Sequence, residues 1–311
     1  MELSHDSWLH QKARGRRMKV ACATNPGGAK PNEDWAAASA DTMVVLDGVT
    51  VPDGIETGCI HGTPWYVQSL GSKILEYSDR RLALPLRQAL AEAISSVNAQ
   101  HALSCDIEAP GTPAATVAIF RAHSDFFDYL VLSDAFLVAE LTNGDVKVIT
   151  DRSLESIAVE ERSAIFDLPI GTPQHTDAVL RMVRVQMRHR NRPGGYWVAA
   201  SDPSASEHAV TGYFGRGQVT RAAALTDGAA RLAEPFKLLS WRGVMDLLAE
   251  GSTGGLIMRT RSAERDDPRG VKWPRYKASD DAAVAYCDLA ISRSGRRHRR
   301  TAASSALRML L

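Results

Sequence analysis

Two aspartate–glycine pairs attract attention because each follows a short run of small or apolar residues. Asp47-Gly48 ends the segment MVVLDG, and Asp227-Gly228 ends the segment AAALTDG. Asp-Gly is also a common turn pair, in which the aspartate bonds its own backbone and the glycine accepts a positive φ. The repeated layout favours a joint explanation, with two carboxylates placed at strand ends.

Further acidic residues occupy similar positions beside strand-like segments. Glu33 and Asp34 lie in NEDW, and Asp280 and Asp281 lie in SDDAAVAY. A group of carboxylates without cations is costly, because like charges raise one another's pKa values. Such a cluster therefore indicates a metal site or shared protons, and magnesium and manganese are the hard cations that prefer oxygen ligands in octahedral geometry.

A pair of such ions would activate water. Two divalent cations about 3.5 to 4 Å apart can hold a shared water and lower its pKa. The glycine after the first aspartate would let its own carbonyl turn toward a metal. The pattern by itself thus predicts a site for divalent cations.

The elements that must position these acids can be read from the hydrophobic pattern. Residues 18–24 and about 35–46 are predicted strands, separated by the Gly/Pro loop NPGGAKPNED. Apolar residues at helical spacing predict two helices, one through Val67, Leu70 and Ile74 and the next through Leu90, Ile94 and Val97. The segments AATVAIF, FDYLVLS, AFLVAEL and DVKVIT then predict an antiparallel meander whose last hairpin turns at Asn143-Gly144.

The second half of the chain is predicted to close the core. Residues 151–195 are charged and irregular, with helical hints at 154–166, and are interpreted as a variable flap before the strand YWVAAS. The strand TRAAALT delivers Asp227, a helical region follows over about 236–261, and DDAAVAYC is the last strand. Strands, two helices, more strands and again helices are an α+β order.

Composition sets limits on the function. The chain has 311 residues, 44% of them hydrophobic, and 37 Lys+Arg against 36 Asp+Glu, so its net charge of +1 gives no reason to expect a polyanionic partner for the body of the protein. The basic excess lies in a predicted disordered tail at 291–311, for which nucleic-acid or membrane-surface contact is a minor alternative. No apolar run reaches the about 18 residues of a membrane span.

The cysteines and the N-terminus favour a cytoplasmic protein. Cys22, Cys59, Cys105 and Cys287 are far apart and form no CxxC pair, which predicts neither a zinc site nor a disulfide framework. The first ten residues carry acids and no apolar core, unlike a signal peptide. We expect an N-terminal arm at 1–17 and one domain at 18–290.

The ordered motifs resemble those of the metal-dependent PPM-type (type 2C) serine/threonine phosphatases. The segments that match are NED, VVLDG, GTPAATVAIF, LSDAFL, LTDG and DDAAVAY, in the family's order over about residues 18–288. The resemblance implies a four-layer αββα sandwich, in which two antiparallel sheets are flanked by helices. It also implies hydrolysis of phosphoserine or phosphothreonine in proteins by a metal-activated water.

The resemblance implies a ligand set for two Mn²⁺ or Mg²⁺ ions. Asp47 would bridge the ions with the Gly48 carbonyl on the second, while Asp227 and Asp280 would complete the first. The three aspartates are thus the implied catalytic residues. The remaining implied ligands are Glu33 or Asp34 on the second ion, directly or through water, and Asp134 at a third, weaker metal position.

Several departures from the family pattern concern the phosphate and the third metal. Ala29 stands where many members have a phosphate-binding arginine, so Lys30 is the nearest cation, although lysine lacks arginine's bidentate fork. Val49 replaces a histidine proposed as proton donor. Arg231 replaces an acid, which argues against the third metal and makes this arginine a candidate phosphate contact.

These departures keep a second class of function open, a phosphatase-like binding module that holds a phosphoprotein or regulatory partner without turnover.

Two nucleophilic mechanisms are disfavoured by the sequence. Cys287 and Arg293 have the Cys-x5-Arg spacing of cysteine phosphatases, but the intervening DLAIS has no glycine to open backbone N–H groups around a phosphate. His61 and His208 are isolated histidines that fit no Ser-His-Asp grouping.

Overall fold

The strands pair into two antiparallel sheets of five strands each. The computed structural model describes residues 18–80 and 83–289, and within them the first sheet has the order β2-β3-β4-β5-β8 and the second β1-β10-β9-β6-β7. The strands are β1 (Val20–Asn25), β2 (Asp34–Ala38), β3 (Thr42–Gly48), β4 (Ala115–Ala122), β5 (Phe126–Leu132), β6 (Phe136–Leu141), β7 (Val146–Ile149), β8 (Val210–Gly215), β9 (Val219–Leu225) and β10 (Ala282–Asp288).

Helices cover the outer face of each sheet. The helices are α1 (Gly62–Arg80), α2 (Leu86–His101), α3 (Val159–Phe166), α4 (Pro173–His189), α5 (Asp227–Ala230), α6 (Trp241–Ala249) and α7 (Thr253–Asp266). The predicted apolar stripes of α1 and α2 pack on the first sheet, whereas α5, α6 and α7 pack on the second. The predicted α+β, four-layer αββα sandwich is therefore confirmed.

The interior between the sheets is built largely from small side chains. Ala118 and Phe120 of β4 meet Ala222 and Ala224 of β9 and Ala285 of β10 in one buried cluster. Strands buried on both faces appear in a sequence as continuous apolar runs rather than as alternating ones. This explains why AATVAIF and TRAAALT carry no polar alternation.

Three local predictions were wrong. The single strand at 35–46 is a hairpin of β2 and β3, because the Ser39 hydroxyl accepts hydrogen bonds from the N–H groups of Asp41 and Thr42 and turns the chain. The meander is interrupted after β5, where Ser133 adopts φ 63° and the chain crosses to the other sheet. YWVAAS forms isolated bridges, such as Ala115 with Ala199, rather than a strand.

The segment predicted as an irregular flap contains ordered helices. In 151–195, α3 and α4 pack together through Ile165, Ala178 and Met182. Thr172 caps α4, because its hydroxyl accepts a hydrogen bond from the N–H of His175. The N-terminal arm at 1–17 and the basic tail at 291–311 lie outside the described residues.

In the described part of the chain, none of the helices combines the length and apolar character needed to cross a bilayer.

Candidate metal centre

Carboxylates from both sheets converge at one end of the sandwich. In the hairpin of β2 and β3, Asp34 lies directly opposite Asp47. Asp227 begins α5 one residue after the end of β9, Asp280 precedes β10, and Asp134 lies in the turn between β5 and β6. Antiparallel strands with tight turns thus bring together acids that are distant in sequence.

The environment of Asp47 demonstrates this convergence. Burial raises the pKa of Asp47 well above its usual range, and the neighbouring carboxylates of Asp34, Asp227, Asp280 and Asp134 raise it further. Each of these four charges must be near Asp47 to act in this way. The structure therefore brings together the five predicted aspartates.

Asp34 is the most enclosed member of the group. Its side chain is buried, with 6% exposed, and among the described residues its Oδ2 atom has no hydrogen-bond partner. Burial raises the pKa of Asp34 well above its usual range, although a hydrogen bond with Thr226 lowers it. A buried acceptor without a donor is costly unless another ligand satisfies it.

Neighbouring carboxylates also raise the pKa values of Asp227 and Asp134. Asp227 is exposed to solvent. Its pKa is nevertheless raised, first by desolvation from the surrounding protein and then by the negative charge of Asp280. The charges of Arg231 and Lys277 oppose this increase in the pKa of Asp227. Desolvation and Asp227 together raise the pKa of Asp134 to about 6.

Asp280 differs from the others because two cations hold it. Lys277 Nζ donates to Asp280 Oδ1 at 2.7 Å, and an Arg231 guanidinium nitrogen donates to Oδ2 at 3.1 Å. Burial alone would raise the pKa of Asp280, but Lys277 and Arg231 outweigh it and lower the pKa. Asp280 is thus ionised and fixed in position.

Glu33 lies at the rim of the carboxylate group. Its carboxylate accepts a short hydrogen bond from the Thr50 hydroxyl, and burial raises its pKa. The Glu33 carbonyl accepts a hydrogen bond from the Gly48 N–H at 3.0 Å. A Cβ at Gly48 would lie 2.5 Å from that carbonyl oxygen, so the close approach of the two backbones requires glycine.

Asp281, adjacent to Asp280, ties the loops of the site together. Its carboxylate accepts hydrogen bonds from the N–H groups of Gly27 at 2.7 Å and Glu33 at 2.6 Å. A Cβ at Gly228 would overlap the Asp281 carbonyl oxygen. Asp281 therefore fixes the β1–β2 loop against the start of β10, a role that the sequence did not indicate.

Lys30 and Arg231, the residues predicted to bind phosphate, are engaged in contacts with other side chains. Lys30 is largely exposed, with 76% of its side chain accessible, and contacts Asp53 at 3.3 Å. Arg231 is buried and also bonds Glu264 at 2.6 Å, so its guanidinium is already engaged. Lys277 also lies among the carboxylates, and sequence reasoning missed it although it stands three residues before Asp280.

The disfavoured nucleophiles are also not available in the structure. Cys287 is buried in β10, and burial raises the pKa of its thiol to about 12. Its spacing partner Arg293 lies outside the described residues. His208 stacks on Trp197 with ring centroids 3.5 Å apart.

Two cysteines that are far apart in sequence meet in the structure. The sulfurs of Cys59 and Cys105 are 3.6 Å apart. His61 contacts both sulfurs, at 3.8 Å from Cys59 and 3.3 Å from Cys105, and is therefore not an isolated histidine.

The donor set at the carboxylate group fits divalent cations. Carboxylate oxygens are the ligands that Mg²⁺ and Mn²⁺ prefer. The cations of the site, Lys277 and Arg231, both bond Asp280, which leaves Asp34, Asp47 and Asp227 without a direct basic partner among the described residues. Bound metal would supply a partner for Oδ2 of Asp34 and would offset the repulsion among the carboxylates of Asp34, Asp47 and Asp227.

Comparisons with known proteins agree with the fold. No family model and no curated protein matches the sequence. Among solved structures, the chain is similar to the serine/threonine phosphatase PstP/Ppp of Mycobacterium tuberculosis, with 14% identity, a TM-score of 0.53, and 88% of this chain and 100% of that chain covered.

Two further structures support the same comparison. The catalytic domain of PstP in complex with two manganese ions has 14% identity and a TM-score of 0.51 over 88% of this chain and 98% of that chain. The serine-threonine phosphatase 2C of Toxoplasma gondii has 12% identity and a TM-score of 0.52 over 89% and 96% of the two chains. The chain therefore shares the fold of the type 2C phosphatases that its motifs resemble.

Proposed function

We propose that this chain is a metal-dependent phosphoprotein phosphatase that hydrolyses phosphoserine or phosphothreonine. The observation that carries the proposal is the convergence of Asp34, Asp47, Asp227 and Asp280, in which Asp34 keeps a buried oxygen without a donor. The fold shared with phosphatases, one of which holds two manganese ions, supports the same assignment. A cytoplasmic location and a signalling role stay predictions.

The residues that would hold Mn²⁺ or Mg²⁺ are those in the carboxylate group. Asp47 lies opposite Asp34 and has Asp227 and Asp280 as charged neighbours. It would be shared by two ions, with Asp227 and Asp280 on the first and the Gly48 carbonyl and Glu33 or Asp34 on the second. When bound, such ions supply a water of lowered pKa and stabilise charge on the phosphoryl group. Asp134, next to Asp227, is suited to a weaker third position.

Two basic residues of the chain, Lys277 and Arg231, have different roles at this site. Lys277 donates to Thr50 at 2.9 Å as well as to Asp280, and 40% of its side chain is exposed. It can therefore contact an incoming phosphate as a point charge. Arg231 instead holds Asp280 in place. We assign phosphate contact to Lys277 in preference to Lys30 or Arg231.

A manganese titration tests the proposal. Wild-type protein should hydrolyse p-nitrophenyl phosphate and a phosphothreonine peptide in proportion to Mn²⁺ occupancy. Asp47→Asn should reduce turnover to background, because it removes the bridging charge, and Asp227→Asn should weaken Mn²⁺ binding, measured by calorimetry. Asp177→Asn, an exposed acid on α4, is the matched control and should behave as wild type.

A binding module without turnover is the second candidate. The observation that favours it is the double neutralisation of Asp280 by Lys277 and Arg231, which competes with a metal for that carboxylate. Manganese binding that Asp47→Asn abolishes, with no hydrolysis between pH 6 and 9, would select this module. Absence of both binding and hydrolysis would reject both candidates.

A further inference from the structure

A second cluster of metal-binding side chains lies outside the carboxylate group. Cys59 and His61 belong to the loop between β3 and α1, His101 is the last residue of α2, and Cys105 follows it by four positions. One ligand atom from each residue lies within 4.8 Å of all the others. Two short motifs, Cys-x-His and His-x3-Cys, therefore face each other.

Four of the six ligand–ligand distances in this cluster are close to those of a tetrahedral zinc site. Bonds of about 2.3 Å to sulfur and about 2.0 to 2.1 Å to nitrogen place the ligand atoms of a tetrahedron roughly 3.3 to 3.8 Å apart. The two sulfurs are 3.6 Å apart, and Cys59 Sγ lies 3.8 Å from His61 Nδ1 and 3.7 Å from His101 Nδ1. Cys105 Sγ lies 3.3 Å from His61 Nδ1.

The chemistry of the donors selects the metal. Thiolate is a soft ligand that favours zinc over Mg²⁺ or Mn²⁺, and two sulfurs with two imidazole nitrogens are a frequent tetrahedral zinc set. A disulfide is the alternative for the cysteines, but the sulfurs are well beyond the bond length of about 2.05 Å, and both thiols are free. Four protein ligands also complete the coordination, as in structural sites.

The surrounding residues hold the ligands in position. Trp65 stacks on the His61 ring with centroids 4.4 Å apart and contacts the His101 ring at 5.1 Å, so one indole restricts both imidazoles. The Thr57 hydroxyl donates to the Cys59 carbonyl at 3.1 Å and accepts from the Cys59 N–H at 3.3 Å. His101 itself is buried.

The two halves of the cluster are also joined through their backbones. The Asp106 N–H donates to the Gly58 carbonyl at 2.8 Å. Gly58 has φ +66°, and a Cβ there would lie 2.5 Å from the Asp106 carbonyl oxygen. This glycine therefore permits the close approach that brings Cys59 beside Cys105.

We propose that Cys59, His61, His101 and Cys105 bind one structural Zn²⁺ ion. The ion attaches the loop of residues 49–61 to the end of α2. The same loop carries Thr50, which contacts Glu33 and Lys277 in the carboxylate group. Zinc would thus fix one wall of that group, and the proposal stands whether or not the protein is a phosphatase.

Metal analysis of the purified full chain tests the site. Protein prepared under reducing conditions without chelators should contain about one zinc per chain after dialysis. Cys59→Ser and Cys105→Ser should lose it, because each removes a sulfur ligand. Cys22→Ser is the matched control, since Cys22 is a free, exposed thiol on β1, and should keep its zinc.

A second measurement on wild-type protein does not depend on how the variants fold. Exchange of zinc for Co²⁺ should give the visible bands of tetrahedral cobalt together with near-ultraviolet thiolate-to-metal charge transfer. Asp47→Asn, which disables the proposed phosphatase, should retain these bands. Wild-type protein without zinc and without cobalt–thiolate bands, or with a Cys59–Cys105 disulfide under reducing conditions, would overturn the proposal.

Discussion

Replacing Asp134 by asparagine should stabilise the metal-free protein at alkaline pH. Desolvation and the charge of Asp227 raise the pKa of Asp134 to about 6, against an ordinary value of 3.8. Because each pH unit of difference corresponds to about 1.36 kcal/mol, the ionised side chain costs about 3 kcal/mol of folding free energy. Asparagine keeps the shape and removes the charge.

The pH dependence follows from the direction of this pKa. Below pH 3.8 the carboxyl group is protonated in the folded and the unfolded chain, so it carries no penalty. Between pH 3.8 and 6 the folded chain retains a proton that the unfolded chain has lost, and the penalty grows with pH. Above pH 6 the penalty is complete, and Asp134→Asn should have its largest advantage there.

Chemical denaturation at several pH values measures this effect. With chelator present, the free energy of unfolding of Asp134→Asn should exceed that of wild type by up to about 3 kcal/mol at pH 8 and by little at pH 4. Asp177→Asn should match wild type at both values. An Asp134→Asn protein that is no more stable than wild type at pH 8 would refute the view that the carboxylates repel one another without metal.

Two further substitutions test how the site is held. Gly228→Ala should cost more than about 2 kcal/mol of stability in thermal unfolding, because its Cβ would overlap the Asp281 carbonyl, whereas Gly217→Ala, with open space around it, should be nearly neutral. Arg231→Met should cost about 1.5 to 3 kcal/mol in denaturant unfolding, because it removes a charged hydrogen bond to the buried Glu264 carboxylate and leaves Arg261 as its partner; an unchanged midpoint would contradict that role.

The carboxylates could be located from the sequence because each lies at the end of a strand with a clear apolar pattern. Asp47 and Asp227 each follow such a run, and both belong to the group that the structure brings together. The layered fold followed from the order of strands and helices together with the family resemblance. The local hydrophobic pattern and the order of the motifs were sufficient to predict the positions of residues that are placed by strand pairing alone.

The basic residues could not be placed in the same way. Lys30 and Arg231 were predicted to bind phosphate because of their distance in sequence from the family motifs. The position of a long basic side chain, however, is set by its tertiary contacts. Glu264 of α7 holds Arg231, and the conformation of the loop before β10 brings Lys277 to Thr50. Neither contact has a periodic signal in the sequence.

The cysteine cluster was missed for a related reason. Spacing rules for zinc detect ligand pairs such as CxxC, and here each short motif contains one cysteine and one histidine, separated along the chain by α1 and α2. The antiparallel return of α2 along α1 brings His101 back to the loop that precedes α1. Only the helix packing, and not the spacing of cysteines, reveals the site.

The carboxylate group and the proposed zinc site have opposite effects on the stability of the fold. At the carboxylate group, burial and repulsion destabilise the metal-free chain, so backbone contacts at Gly48 and Gly228 and the cations on Asp280 must hold the acids in place. Functional sites commonly carry such local conflict, which the rest of the fold must offset. A zinc ion at the far end of the loop that carries Thr50 would supply part of that offset, because it constrains the chain without adding negative charge to the site.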